Sequence, residues 1–265
     1  MLVSILNCIS GSFGEVSLKK IIAYSLWGDN PKYTEGAVVN ALQTPEVYPG
    51  WIARFYCGDS VPDDIAERLQ QAGAEVIRVR GINDNRGMFW RFWALADEDV
   101  ERVIMRDTDS RLTPREKAAV DEWERSGLAG HIMRDHPYHG MPVMGGMWGC
   151  KGGLFRDIKT MIENFSPTSA HNQDQLFLEK VVYPRLIEAG CCVHDPFFRY
   201  ESTARPFPTP RQGYAFVGEA MGSDGQREDH WQILHEYEQN PWRRLRFACK
   251  RQILALRLRL FGRIG

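Results

Sequence analysis

Val103-Ile104-Met105-Arg106-Asp107-Thr108-Asp109-Ser110 is the stretch on which the reading of the whole chain turns. An apolar run that breaks into Asp-x-Asp predicts a strand whose C-terminal end delivers two carboxylates to a crevice, because strand side chains at i and i+2 share a face. On that reading Thr108 points the other way. Two adjacent acids repel each other unless a cation lies between them. Hard oxygen ligands suit Mg²⁺ or Mn²⁺, ions that commonly complete their shells with water and substrate phosphates.

Working outward, the flanks alternate strand and helix. Ile21 to Trp27 is a short apolar run closed by Gly28-Asp29-Asn30-Pro31, a first buried strand. Thr34 caps a helix faced by Ala37, Val38, Ala41 and Leu42 that ends before Pro45. Trp51 to Cys57 is a second strand, Pro62 to Gly73 a helix, and Ala74 to Val79 a third strand. This β-α-β-α-β order predicts a parallel sheet with right-handed crossovers. Met88 to Asp97 has a helical stripe of Phe89, Phe92, Trp93 and Ala96, with Arg91 on the opposite side.

Beyond the central stretch, Thr113-Pro114-Arg115-Glu116 is a capping box with proline at the first helical position, and Gly127 follows the helix. Strands are expected at Gly130 to Met133, Met144 to Gly149 and Cys191 to His194, and a further one at Tyr214 to Val217. Ile158 to Phe165 and the segment after Asn172 read as helices, the latter kinked or split at Pro184. The fold class is therefore α/β: a mostly parallel central sheet flanked by helices. Residues 1–240 form the main domain and 241–265 a separate basic, leucine-rich helix.

Composition limits the function classes. Hydrophobic residues make up 43% and charged residues 25% of the chain, the balance of a globular protein rather than a disordered one. No stretch is long and apolar enough to span a bilayer, and Met1 to Ile9 lacks a basic leader region, so a cytosolic protein is expected. Six cysteines without a C-x-x-C pair fit reduced thiols. The tail from Arg243 carries eight positive charges and no acid, which leaves the rest of the chain at −9 against a formal net charge of −1. In that tail Leu245, Cys249, Ile253, Leu256 and Leu260 share a helical spacing. Such a helix suits an anionic membrane surface at the inner face of the cell membrane, or alternatively docks on the body or a second subunit. Arginines without interleaved aromatics give no nucleic-acid platform. A P-loop, a G-x-G-x-x-G and a nucleophile elbow are all missing from the sequence.

The order of these motifs resembles the GT-A-fold glycosyltransferases, in particular the retaining branch related to lipopolysaccharide galactosyltransferases and glycogenin. The resemblance covers roughly residues 21–194. It implies a metal-dependent transfer of a sugar from a nucleotide-diphosphate donor to a glycan or lipid-linked acceptor, with Mn²⁺ or Mg²⁺ as cofactor. It implies donor contacts from Ser25, Leu26, Arg91, Asp107, Gly145 and Gly146, the glycine pair matching the family's small-residue step beside the donor sugar. Asn172-Gln173-Asp174 resembles the family's Asp-Gln-Asp, which makes Gln173 and Asp174 the catalytic candidates; Asn172 departs from the pattern. Asp107 and Asp109 would hold the metal with a C-terminal histidine, first His194 by its strand context, with His230, which family spacing favours, in reserve.

Arg134, Asp135 and His136 follow a strand and are candidates for the acceptor rim. A zinc site from Asp135, His136 and His139 ranks low because Pro137 interrupts them and no cysteine stands nearby. Trp27 and Trp148 could stack on sugar or base, or fill the core. Two other classes remain open: a phosphohydrolase of the haloacid dehalogenase type, with the first Asp as nucleophile, and a catalytically silent glycan-binding module. The mid-chain position of the motif and Arg111 two residues after its second Asp argue against the phosphohydrolase.

Overall fold

A computed structural model of the chain describes residues 18–261. The readings of Met1 to Ile9, of Cys8 and of tail side chains from Arg257 onward lie outside the described residues. The chain begins with β1 (Lys19–Leu26), α1 (Pro31–Val47), β2 (Trp51–Gly58), α2 (Asp63–Gln71) and β3 (Glu75–Val79). A 3₁₀ segment, Asn85–Ala96, leads into β4 (Val100–Met105), and α3 (Pro114–Ser126), β5 (Gly130–Met133) and β6 (Trp148–Lys151) follow. Then come α4 (Ile158–Phe165), α5 (Gln173–Phe177), a π turn over Leu178–Val182, α6 (Tyr183–Glu188), β7 (Cys191–His194), α7 (His230–Gln239) and α8 (Pro241–Phe261).

The strands form one seven-stranded sheet in the order β3-β2-β1-β4-β6-β5-β7. β1 is parallel to β2 and β4, β2 to β3, and β5 to β7. Among the described strands only β6 runs against its neighbours, β4 and β5. Alternation along each strand divides the core between the two faces. On β4, Val103 and Met105 join Phe89, Phe92, Phe155 and Phe177 on one face, while Ile104 joins Ala37, Leu69, Val120 and Trp123 on the other. The protein is thus a mixed α/β sheet covered by helices on both sides, with a basic helix at the C-terminal end.

Local signals explain most element boundaries. Thr113 accepts a hydrogen bond from the Glu116 amide at 3.2 Å, and Gly127 ends α3 in the left-handed region at φ 69°. Glu116 does not close the capping box, because its carboxylate is buried and engaged elsewhere. Pro184 sits in the first turn of α6, and the backbone just before it adopts the π turn.

Four expectations need correction. α1 starts with Asn30 as cap and continues through Pro45 to Val47, where only its final turn loses an amide bond. The Met88 to Asp97 helix is a 3₁₀ segment with about three residues per turn. The segment is enclosed on nearly every side, with Phe89, Trp90, Phe92, Ala94 and Leu95 buried as well, and Arg91 is 4% exposed. Of Met144 to Gly149, only the end is strand, in β6. Tyr214 to Val217 is turn and irregular chain, its aromatic residues packed against α7 and α8 instead of a neighbouring strand.

Candidate active site

β4 stops at Met105, and Ser110 donates to the Asp107 carbonyl through its amide and hydroxyl at 3.4 and 3.0 Å, so 107–110 form a turn. Asp107 and Asp109 therefore share one cleft through turn geometry rather than strand alternation. Thr108 lines the same cleft, contrary to its expected orientation. The turn is held rigidly from α1. Asn40 donates to the carbonyls of Thr108 and Ser110 at 3.3 and 2.9 Å, and α1 approaches so closely that a Cβ at Gly36 would lie 2.2 Å from the Thr108 carbonyl oxygen. From the other side the Met221 amide donates to the Asp109 carbonyl at 2.8 Å.

The cleft has a volume of about 550 Å³. It is lined by Ser25 to Asn30 and Tyr33, by Asn85, Met88, Arg91 and His171, and by Asp107, Thr108 and Asp109. Trp148 lies in the core, so of the two tryptophans considered for stacking it is Trp27 that reaches the cleft.

Arg91 is the hub. Its backbone amide donates to Ser25 Oγ at 3.0 Å, and its guanidinium donates to the Arg106 carbonyl, to Asp107 and to Asp174. Burial alone would lower its pKa, but Asp107 and Asp174 outweigh that and raise it, so it stays a fixed cation. Asp174, on the first turn of α5, is nearly sealed. The Asp107 side chain keeps 46% of its surface exposed. Asp109 is more enclosed, and burial, reinforced by the charge of Asp107, raises its pKa above the usual carboxylate value despite Lys32 at 3.3 Å. Lys32 also holds Glu228 at 2.6 Å, and these acids raise its own pKa against the lowering effect of burial.

Gly145 and Gly146 pass directly over this cluster. A Cβ at Gly146 would lie 2.1 Å from Asp107 Oδ2 and 2.8 Å from the Asp107 amide nitrogen; one at Gly145 would lie 2.7 Å from Arg91 and 3.0 Å from Asp174. In the amide orientation that satisfies both of its ends, Gln175 pins Gly145 by accepting from its amide at 2.9 Å. Ser25, Leu26, Arg91, Asp107, Asp109, Gly145, Gly146 and Asp174 thus converge on one site. Gln173, beside Asp174 at the start of α5, is partly buried.

The remaining candidates are elsewhere. His194 is on β7, three strands from β4, and strands about 4.8 Å apart put it roughly 14 Å away across the sheet. Its ring faces His131 and Glu122, so it is no partner for Asp107 and Asp109. His230, at the start of α7, lies 3.9 Å from Glu228 on the Asp109 side.

Arg134 and Asp135 are 0% exposed and His136 is 1% exposed, so none of the three forms an open rim. Buried charges must be paired, and these are. Arg134 donates to Asp195, Glu201 and the Pro142 carbonyl; Asp135 accepts from Arg115, Arg211 and the Val217 amide. His136 faces the His230 carbonyl at 3.0 Å, and its Nδ1 accepts from the Tyr138 amide. With Asp135 committed to two arginines, the zinc arrangement with His136 and His139 has no free carboxylate.

Lys32, Asn40 and Glu228 were not singled out in the sequence. Lys32 and Glu228 meet across 196 residues of chain, a separation for which no local pattern gives a signal.

No protein-family model and no curated protein matches the chain. Among solved structures it is similar to glucosyl-3-phosphoglycerate synthase from Mycobacterium tuberculosis, in complex with Mn²⁺, uridine diphosphate and phosphoglyceric acid, at 15% identity and a TM-score of 0.38, covering 58% of this chain and 68% of that one. An active-site mutant of LgtC gives 14% identity and a TM-score of 0.44, over 81% of this chain and 99% of that one. The 4-diphosphocytidyl-2C-methyl-D-erythritol synthase of Anaerococcus prevotii gives 12% and 0.42, over 62% and 84%. With superpositions this partial, a functional reading rests on the residues of the site itself.

Proposed function

We propose that the chain is a divalent-metal-dependent glycosyltransferase that moves a sugar from a nucleoside diphosphate donor to a glycan or lipid-linked acceptor. The observation that carries this reading is the meeting of two carboxylates, one half-exposed and one with a raised pKa, at the wall of a cleft of about 550 Å³ beside a buried arginine. Paired acids with oxygen donors fit Mn²⁺ or Mg²⁺ better than a softer ion. Asp107 and Asp109 would hold the cation, with His230 in place of His194 as the third ligand. When bound, it would neutralise charge developing on the leaving diphosphate.

The chain's own residues supply the rest. Arg91 offers a fixed positive charge for the diphosphate, and its tether to Ser25 and Asp174 keeps that charge oriented. Lys32 balances the charge of Asp109 that a bound cation would also neutralise. Trp27 and Tyr33 give flat apolar surface for the base, next to Ser25 and Leu26. Gly145 and Gly146 let the backbone close onto Asp107, Arg91 and Asp174, and Gln173 and Asp174 remain the candidates for acting at the reacting carbon. Retention of configuration follows from the resemblance to the retaining branch and is part of the proposal.

The second part concerns α8, residues 241–265 being the proposed membrane-contacting unit beside the catalytic domain of residues 1–240. Phe247 and Leu254 pack onto Phe197, Phe198 and Tyr237, whereas Trp242, Leu245, Ile253 and Leu256 are 55–74% exposed among Arg243, Arg244, Arg246 and Lys250. That face supports peripheral contact with an anionic membrane, which would bring a lipid-linked acceptor to the protein. No described helix is long and apolar enough to cross a membrane.

The test is slow donor hydrolysis. Incubated with Mn²⁺ and a panel of nucleoside diphosphate sugars, the protein should release nucleoside diphosphate, and Asp109→Ala should not. Release of inorganic phosphate would point to a phosphohydrolase, and no release of either to a binding module.

A further inference from the structure

The histidine that the cleft does not use has a different set of neighbours. β5 and β7 are parallel, with His131 opposite Cys192 and Met133 opposite His194. Alternation along the strands turns His131, Cys192 and His194 to the face covered by α3. All three are 0% exposed. Their ligand atoms lie within 4.8 Å of one another, and His131 Nε2 is 2.9 Å from His194 Nδ1. The two rings stand at 87° to each other and bring one nitrogen of each to the same side as the thiol.

We propose that His131, Cys192 and His194 form a buried three-ligand site for a borderline-soft divalent cation, Zn²⁺ first, on strands at the other end of the sheet from β3, three strands beyond β4 at their furthest. Two imidazoles and a thiolate match the ligand preferences of Zn²⁺ and not those of Mg²⁺ or Mn²⁺, so ligand chemistry distinguishes this site from the acid pair.

The surroundings support the assignment. Behind His194, Nε2 faces a Glu122 carboxylate oxygen on α3 at 3.4 Å, the carboxylate-histidine arrangement that commonly orients a metal-binding imidazole. Glu122 is itself held by Arg205 at 2.8 Å. Trp123 stacks on the His131 ring at 5.3 Å and 13°, fixing its plane.

The site would have a structural consequence. β7 is an edge strand of four residues, and residues 195–229 that follow it contain no helix or extended strand. That segment carries Glu228 toward the cleft. A metal tying β7 to β5 would anchor its root.

Cobalt spectroscopy on the full-length protein tests this. After chelator treatment and dialysis, one equivalent of Co²⁺ should produce a thiolate-to-metal charge-transfer band and the intense visible bands of Co²⁺ in a low-coordinate site. Zn²⁺ should abolish them and raise Tm by about 5 °C. The bands should vanish in Cys192→Ala and persist in Asp109→Ala and Cys249→Ala. A wild-type protein with no charge-transfer band and no Zn²⁺-dependent rise in Tm overturns the site and leaves a plain imidazole-imidazole hydrogen bond. A band that survives Cys192→Ala overturns it as well. If Cys192→Ala does not fold, the wild-type spectrum together with Cys249→Ala decides.

Discussion

The chain contains the tripeptide Met-Arg-Asp twice, at 105–107 and at 133–135, each time with the methionine closing a strand. The two arginines have similar surroundings: Arg106 is buried against Glu116 and Tyr48, and Arg134 against Asp195 and Glu201. The two aspartates do not. Asp135 is sealed, with Arg115, Arg211 and the Val217 amide all directed at it. Asp107 has one guanidinium, a second acid two residues away and an open cleft. Identical local sequence thus produces a structural anchor in one place and an open acidic edge in the other, and what decides is whether distant parts of the chain supply counter-charge.

The largest effect that would sharpen this contrast is on stability. Arg134→Met removes the cation from two buried carboxylates and should cost about 3–5 kcal/mol. Asp107→Ala should stay within about 1 kcal/mol of wild type, because its side chain is half-exposed and Arg91 keeps Asp174. Chemical denaturation of both variants checks the pair; equal losses would erase the distinction.

Gly146→Ala comes next. Its Cβ would meet both the carboxylate and the amide of Asp107, a collision with backbone that cannot be relieved by a side-chain rotation. Overpacking of this kind costs about 1–3 kcal/mol. Metal-dependent donor binding should fall by at least tenfold, measured by calorimetry, since Asp107 has to move. Unchanged binding would detach the glycine pair from the site.

Acid should also affect the two regions differently. Burial pushes the pKa of His136 down to about 4 and that of His139 well below the usual value. The unfolded chain takes up these protons below about pH 6.5, while the fold refuses them until about pH 4 at His136, so stability should drop as pH falls through that window. Asp109 has the opposite sign. Its raised pKa favours the protonated fold, so its charging costs stability as pH rises through the unfolded and then the folded value. Since a metal needs the carboxylate, Mn²⁺ binding should fail on acidification at a higher pH than an ordinary aspartate would give. Tm against pH, with and without Mn²⁺, separates the two effects.

The smallest expected effect is at α8. Truncation after Pro241 should reduce co-sedimentation with anionic vesicles and leave donor hydrolysis in solution nearly unchanged. Equal vesicle binding would remove the membrane role.

The same contrast explains how much could be read from sequence. The parallel half of the sheet was legible because each strand and helix carries its own period, and because Thr113, Gly127 and Pro184 mark boundaries locally. The burial of Arg91 is not legible from helical period, because the 3₁₀ segment is enclosed on nearly every side and the arginine's partners Asp107 and Asp174 come from elsewhere in the chain. Arg134, Asp135 and His136 looked like a rim, since their sequestering partners Arg211, Glu201 and His230 come from 67 to 94 residues later. His194 was rightly read as a strand-end histidine, but strand order, which depends on how β6 inserts antiparallel between β4 and β5, carries it away from the acids.

The account depends most directly on Asp107 and Asp109 binding a metal that binds the donor. Thermal unfolding of wild type and Asp109→Ala, each with a nucleoside diphosphate sugar and with or without Mn²⁺, measures this in one set of curves. The donor should raise the wild-type Tm by about 5 °C or more when Mn²⁺ is present, and should not shift it without metal or in the variant. An equal rise in the variant, or a rise in wild type that is indifferent to Mn²⁺, would contradict it.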